Sequence, residues 1–334
     1  MIALNKYGKK VILARNVHKS VINGLVLAGL EPVWLDIDFI DEWGIFSRVN
    51  PEKLNKILQN DKNLAGCVIV SPTYEGMISD VKEISMLCHK KDIPLIVDEA
   101  QGAHLRFLNN KNLYSAIQLG ADLVVQSWHK SLGSLTQSGV LHLVNENYFA
   151  YSDIKRSLDL VSSTSPSFLL LVSLELTRKY LQDTRGEIFI KLYERAQLFR
   201  KKLKCLQNDD SFKIYLKYEN ISGIDLAYEL YAKYSIEIES ANEIGFLILA
   251  NAGFNKTTAK KIIHAINNVS CRGLINQTPT NKTRNKKHVT YNDYVLSPRD
   301  AFIVGFKNKN KKFNTDVIAP CPPGYAINVP GNKK

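Results

Sequence analysis

Six short runs of mostly apolar residues punctuate the first 144 positions: Lys10–Ala14, Pro32–Leu35, Cys67–Ser71, Pro94–Asp98, Leu123–Ser127 and Gly139–Val144. Most are apolar along their whole length rather than at alternate positions. A strand that is apolar on both faces has to be covered on both faces, which is the mark of a mainly parallel sheet between two layers of helix. Segments of helical length separate the runs, namely Ser20–Gly29, Pro51–Gln59, Asp80–Lys91 and Asn112–Leu119. Each is long enough to carry the chain back between parallel neighbours. The expected fold is α/β, with an open, mostly parallel sheet and helices on both faces. Ligands of such sheets bind beyond the carboxyl ends of the strands, so the residues that follow each run are the ones to inspect.

Beyond Val144 the pattern turns helical, over Phe149–Val161, Ser167–Asp183 and Glu187–Gln207. Strand-like runs then return at Phe212–Tyr215, Ile236–Glu239 and Gly245–Leu249, with helices at Ile224–Tyr234 and Lys256–Asn268. This reads as a small α+β domain followed by a tail rich in Pro, Gly, Asn and Lys. With 334 residues to divide, the expected domains are 1–184 and 185–334. The opening MIALNKYGKK has no apolar run of signal-peptide length, and no stretch approaches the roughly 18 apolar residues of a membrane span. A cytoplasmic protein without a membrane span is the expectation. Five cysteines are scattered with no CxxC pair, so neither a zinc site nor a disulfide framework is indicated.

The net charge of +12 lies entirely in the tail, where Asn255 onward holds 15 Lys/Arg against three Asp/Glu. Its runs NQTPTNKTRNKKH and KNKNKKFN are interleaved with asparagine and read as solvated loops, not as a nucleic-acid surface. An anionic partner or an acidic membrane surface is the alternative.

Three strand ends carry chemistry. The run ending at Val97 leads into Asp98-Glu99-Ala100-Gln101-Gly102-Ala103-His104, a carboxylate followed by small residues. The next run ends in Ser127-Trp128-His129-Lys130-Ser131. A lysine at the end of a buried strand is costly to keep charged, so burial is expected to favour its neutral, nucleophilic amine. A lysine and a strand-end aspartate together are what pyridoxal 5′-phosphate (PLP) requires. The lysine forms a Schiff base with the aldehyde, and the carboxylate keeps the pyridine nitrogen protonated so that the ring accepts electrons. Ser127 and His129 flank the lysine and can donate to a phosphate. The third end, Arg15-Asn16-Val17-His18-Lys19-Ser20, offers an imidazole able to stack on a planar ring, although His18 also neighbours a helix start.

These segments resemble the Orn/Lys/Arg decarboxylases among the fold-type-I PLP enzymes. The matching stretches are ARNVHKSVINGLVLAG, VIVSPTYEGMISD, LIVDEAQGAH, GADLVVQSWHKSLGSLTQSG, STSPSFLLLVSLE, LSPRDAF and PCPPGYAINVPG, which span nearly the whole chain. The resemblance implies a lyase that decarboxylates arginine, lysine or ornithine, with a place in polyamine metabolism. By it, Lys130 carries the cofactor, Asp98 pairs with the pyridinium, His18 stacks on the ring and Ala100 packs against the opposite face. Ser127 and His129 bind phosphate or orient the substrate carboxylate. Ser163-Thr164-Ser165 reach the site of a neighbouring subunit, which implies a homodimer or higher homo-oligomer. His104 is read as a structural residue or one at the site mouth, Thr73 and Tyr74 as possible pocket residues, and Tyr228, Tyr231 and Tyr234 as a packing stripe.

Two departures from the family stand out. Relatives carry, upstream of the equivalent of Lys10, a strand and a Ser/Thr/Gly-rich turn whose amides cradle the phosphate. The nine residues before Lys10 hold no such turn, so the resemblance implies a chain shortened at its amino end. Gln101 stands where relatives have histidine or an aromatic residue, and glutamine hydrogen-bonds but does not transfer protons. A catalytically silent truncated remnant or partner subunit of a full-length paralogue, and another PLP reaction such as transamination, therefore stay open beside decarboxylation.

Overall fold

The computed structural model describes residues 1–218, 221–271, 295–306 and 313–333. Its principal sheet has six strands: β1 (Lys10–Ala14), β2 (Glu31–Leu35), β5 (Leu64–Val70), β6 (Leu95–Asp98), β7 (Leu123–Gln126) and β8 (Val140–Leu143). Their order is β2-β1-β5-β6-β7-β8, parallel throughout except for β8. All seven residues of β5 are buried, as a central strand covered on both faces requires. A two-residue hairpin, β3 (Phe39–Ile40) and β4 (Ile45–Phe46), follows β2.

The crossover helices α1 (Lys19–Ala28), α2 (Pro51–Asn60) and α3 (Val81–Lys90) start where the sequence supplies caps. Asn50 accepts the Glu52 amide ahead of Pro51, and Asp80 accepts the Glu83 amide. α1 stops at Gly29, whose φ of 65° suits glycine. The helix expected over Asn112–Leu119 is absent: the stretch holds only the 3-10 turn Ala116–Gln118. Two local constraints explain the difference. Asn112 sits at φ 58°, and the Glu99 carboxylate takes the Ser115 hydroxyl and the Ala116 amide at 2.6 Å each.

After β7 come the short α4 (Trp128–Ser131), then α5 (Tyr151–Asp159), α6 (Phe168–Thr184) and α7 (Glu187–Arg200). α7 ends before the expected Gln207 because the Arg200 guanidinium turns back onto the Leu206 carbonyl at 2.9 Å. A second, antiparallel sheet follows, ordered β10-β11-β9, from β9 (Lys213–Leu216), β10 (Ser240–Ala241) and β11 (Phe246–Leu249). Helices α8 (Gly223–Tyr234) and α9 (Lys256–Cys271) accompany it. The strand expected at Ile236–Glu239 is displaced to Ser240–Ala241, since the Ile236 amide is spent on the Leu230 carbonyl at the end of α8. Each sheet has its own buried apolar cluster.

The tail is more ordered than its composition suggests. Helix α10 (Pro298–Gly305) packs on α1, and the Arg299 guanidinium donates to the α1 carbonyls of Val26, at 2.8 Å, and Leu27. Farther on, the chain returns to the start of α1, where the Lys19 amide donates to the Gly324 carbonyl at 3.0 Å. NQTPTNKTRNKKH and most of KNKNKKFN lie outside the described residues. Among the described residues no helix is long and apolar enough to cross a membrane.

Candidate active site

The tips of β1, β5, β6 and β7 point the same way and are tied to one another. The Ser71 amide donates to the Asp98 carbonyl at 3.1 Å, and the Glu99 amide to the Val125 carbonyl at 2.8 Å. Loops leaving this edge bring three of the expected residues together. The charge of Asp98 acts on His18, and Lys130 acts on both.

Asp98 lies deep in the molecule yet keeps some accessible surface. Burial pushes its carboxyl up, against the opposing pull of the Ala100 amide and the nearby His18 and Lys130. Among the described residues the one hydrogen bond to its carboxylate is from the Ala100 N–H to Oδ1, at 3.0 Å, so Oδ2 is available to a ligand. Ala100, expected to act through its methyl group, also orients the carboxylate through its amide.

His18 is the cap of α1. Its Nδ1 accepts the Ser20 amide at 3.3 Å and lies 2.9 Å from Ser20 Oγ, which places the neutral ring's proton on Nε2. Capping and ring stacking are thus compatible, because the cap uses a ring edge and leaves the faces. The other edge is backed by Gly324, where an added methyl group would come within 2.6 Å of Cδ2 and 2.8 Å of Nε2. Burial pushes the imidazole pKa down, Asp98 pulls it up, and Lys130 and Lys19 push it down further.

Lys130 corrects one expectation. It is exposed, so the burial expected of a lysine at a covered strand end does not reach it; α4 lifts residue 130 beyond the tip of β7. Among the described residues its amine has no hydrogen-bond or ion-pair partner. Ser127, at the start of α4, likewise spends its hydroxyl on no cap. The His129 Nδ1 donates to the Ser138 carbonyl at 2.7 Å, so Nε2 of the neutral ring is an acceptor and donates only when the ring is charged.

Neighbouring groups hold this edge in shape. Glu99 is 1% exposed and receives Ser115 Oγ, the Ala116 amide and, at 2.5 Å, Gln126 Nε2. Burial nevertheless pushes its carboxyl up to about 7. A folded-state pKa above the usual 4.5 means the folded protein binds more protons between those values, so the Glu99 contribution to stability falls as pH rises from 4.5 to about 7. The loss amounts to roughly 3 kcal/mol. Urea unfolding at pH 5 and pH 8 is expected to show a smaller drop in stability for Glu99→Gln than for the parent chain; equal drops would refute the assignment.

His104 lies under the site and away from its mouth. It is 1% exposed, stacked on Phe212 at 4.6 Å between centroids, with Nε2 3.2 Å from Asp210 Oδ2. Thr73 is fully buried and closes its own loop by accepting the Met77 amide, while the Tyr74 hydroxyl donates to Glu239 of the second unit at 2.7 Å. Ser163, Thr164 and Ser165 are exposed between α5 and α6. Of the expected tyrosine stripe, Tyr228 and Tyr231 are 70% and 63% exposed and so do not serve as core packing.

Sequence reasoning overlooks four residues here. Lys213 is 2% exposed on β9, with its amine 2.6 Å from Gln101 Oε1. A charged residue inside the apolar run FKIYL is the signal that marks it. Glu75, pushed up to about 6 by burial, accepts from the Tyr325 hydroxyl at 3.3 Å. Burial alone would raise Asp210, but the His104 and Lys213 charges outweigh it and hold the carboxyl below its usual range. Tyr325 bridges to the backbone of His18 from the far end of the sequence, and no local pattern announces that.

Residues 1–292 match the family model described as Orn/Lys/Arg decarboxylase, major domain. The chain is 28% identical to the arginine decarboxylase of Bacillus cereus over 97% of its own length and 75% of that protein's. It is also 28% identical to the arginine decarboxylase of Bacillus subtilis, over 97% of its own length and 70% of that protein's. Among solved structures, the constitutive lysine decarboxylase of E. coli superposes with a TM-score of 0.76 at 17% identity, over 99% of this chain and 62% of that one. The lysine decarboxylase of Francisella novicida gives 0.80 at 19% identity, over 99% and 61%. The chain thus spans a little over three fifths of the length of these two lysine decarboxylases.

Proposed function

Because the chain belongs to the Orn/Lys/Arg decarboxylase family, we propose that it uses pyridoxal phosphate to decarboxylate a basic amino acid, arginine, lysine or ornithine, with Lys130 carrying the cofactor. The observation that carries this reading is that Asp98 ends β6, Lys130 follows the neighbouring β7 and His18 follows β1 at the same edge of the sheet, each within electrostatic reach of the others. The donor set suits the group. Among the described residues it offers a carboxylate with an oxygen to spare, an amine without an ion-pair partner, an imidazole whose faces are free of its cap, and the uncommitted hydroxyl of Ser127.

Bound there, pyridoxal phosphate supplies the aldehyde and the electron sink that make loss of CO2 feasible. The remaining work falls to the chain. Lys130 Nζ would be the amine that holds the cofactor and, with the substrate bound, the group that holds the proton destined for the α-carbon. Asp98 Oδ2 would hold the pyridine nitrogen in its protonated form, and the Ala100 amide fixes the carboxylate for that task. His18, pinned at one edge by the α1 cap and at the other by Gly324, would wall one face of the cofactor ring, and Ala100 the other. Ser127 donates to phosphate or to the substrate carboxylate, and His129 joins it when protonated.

The working unit in this reading is a homodimer or higher oligomer in the cytoplasm, with Ser163–Ser165 reaching the neighbouring site. Its support is the apolar surface left on α6, where Phe168, Leu169 and Leu176 are 78%, 71% and 63% exposed. Purified protein incubated with PLP is expected to gain a visible absorbance band, to be labelled at Lys130 on borohydride reduction, and to release CO2 from at least one of the three amino acids. A protein that stays colourless with added PLP would sink the proposal, and formation of keto acid without CO2 would redirect it to transamination.

A further inference from the structure

The stretch Asn208–Lys213, which leads into β9, meets both loops that flank the tip of β6. On the β5 loop, Asn208 Nδ2 donates to the Glu75 carbonyl, the amides of Asp209 and Asp210 donate to the Gly76 carbonyl at 3.1 and 3.0 Å, and Asp209 Oδ2 accepts the Ile78 amide at 2.8 Å. On the β6 loop, Lys213 Nζ donates to Gln101 Oε1 at 2.6 Å, and Asp210 faces His104 at 3.2 Å. The two loops also interlock, since a methyl group at Gly102 would come within 2.4 Å of Pro72, and one at Gly76 within 2.7 Å of Asn208 and 2.9 Å of Lys213.

Lys213, Asp210 and His104 are 2%, 0% and 1% exposed. Burying such groups is expensive unless each finds a partner. Lys213 finds Gln101 directly and Asp210, Glu239 and Glu75 at longer range. Their joint geometry ties Gln101 and His104, three and six residues after Asp98, to the second sheet. The ammonium also settles the Gln101 amide, because only its carbonyl oxygen can accept, and Nε2 is left as the donor the side chain presents elsewhere. Burial pushes the Lys213 amine down, and the charge of Lys130 adds to that push.

We propose that Lys213, through Gln101, and Asp210, through His104, are positioning residues that hold the Asp98–His104 turn in the register in which Asp98 meets a cofactor ring. The second unit thereby sets the geometry of a site whose three principal groups all lie on the first. The inference rests on the cofactor reading above, and its test separates the two.

Backbone hydrogen exchange of the full chain without added PLP is compared for the parent, Lys213→Met, Gln101→Met, the double variant and the milder Asp210→Asn. Exchange over residues 98–104 is expected to rise about tenfold in each single variant, with α3 and β7 unchanged, and no further in the double variant. Titrated with PLP, the single variants are expected to bind about tenfold more weakly and to lose intensity in the visible circular-dichroism band that reports ring tilt. Unchanged exchange over 98–104 overturns the inference, and so does a loss of protection spread through both sheets in Asp210→Asn and Lys213→Met alike. A parent chain that takes up no PLP while Lys213→Met still loosens the turn would keep the tether and discard the cofactor reading. A parent that binds PLP, beside variants that match it in every readout, would do the reverse.

Discussion

Lys130→Met is expected to abolish borohydride-dependent labelling and to cut CO2 release from basic amino acids by a factor on the order of 10³ or more. The size follows from the isolation of this amine. Among the described residues Lys130 has no ion-pair partner, and the other lysine whose field it feels, Lys213, is buried and bonded to Gln101. Methionine keeps the length and much of the packing of the side chain, so thermal unfolding is expected to stay near the parent value while the chemistry is lost. Measuring both on one preparation distinguishes loss of the reacting group from loss of the fold. A variant that retained most of its turnover would refute the assignment of Lys130.

Asp98→Asn is expected to lower turnover by a factor on the order of 10²–10⁴ while PLP still binds. Asparagine preserves the shape of the side chain and its acceptor for the Ala100 amide, but a neutral amide cannot hold a ring nitrogen in its protonated state. Burial raises the Asp98 carboxyl, and the Ala100 amide, His18 and Lys130 pull it back. The variant is therefore expected to keep its visible band and lose its rate, and single-turnover CO2 release read beside absorbance makes the comparison. Parent-like turnover in Asp98→Asn would remove the aspartate from the mechanism.

The first sheet is legible in the sequence because parallel strands buried on both faces leave unbroken apolar runs, and β5, wholly buried, is the plainest case. The candidate groups are legible for a related reason, since open parallel sheets present their chemistry at strand ends, and Asp98 and Lys130 stand there with His18 just beyond β1. What escapes is set by contacts distant in sequence. The Asn112–Leu119 stretch has helical content, but Glu99 claims the donors at Ser115 and Ala116. The exposure of Lys130 depends on the turn of α4 and not on the apolar run before it. Lys213 looks out of place within FKIYL until Gln101, on another sheet, is set beside it.

The backing of His18 by Gly324, and the bridge from Tyr325, bear on how the protein matures. The support of the imidazole is synthesised some three hundred residues after the imidazole itself. Pairings so remote along a chain form late. A nascent polypeptide that has already assembled β1 through β8 would hold its aspartate and lysine in place with a loose ring wall, and it would grip a cofactor firmly only after residue 325 had cleared the exit tunnel.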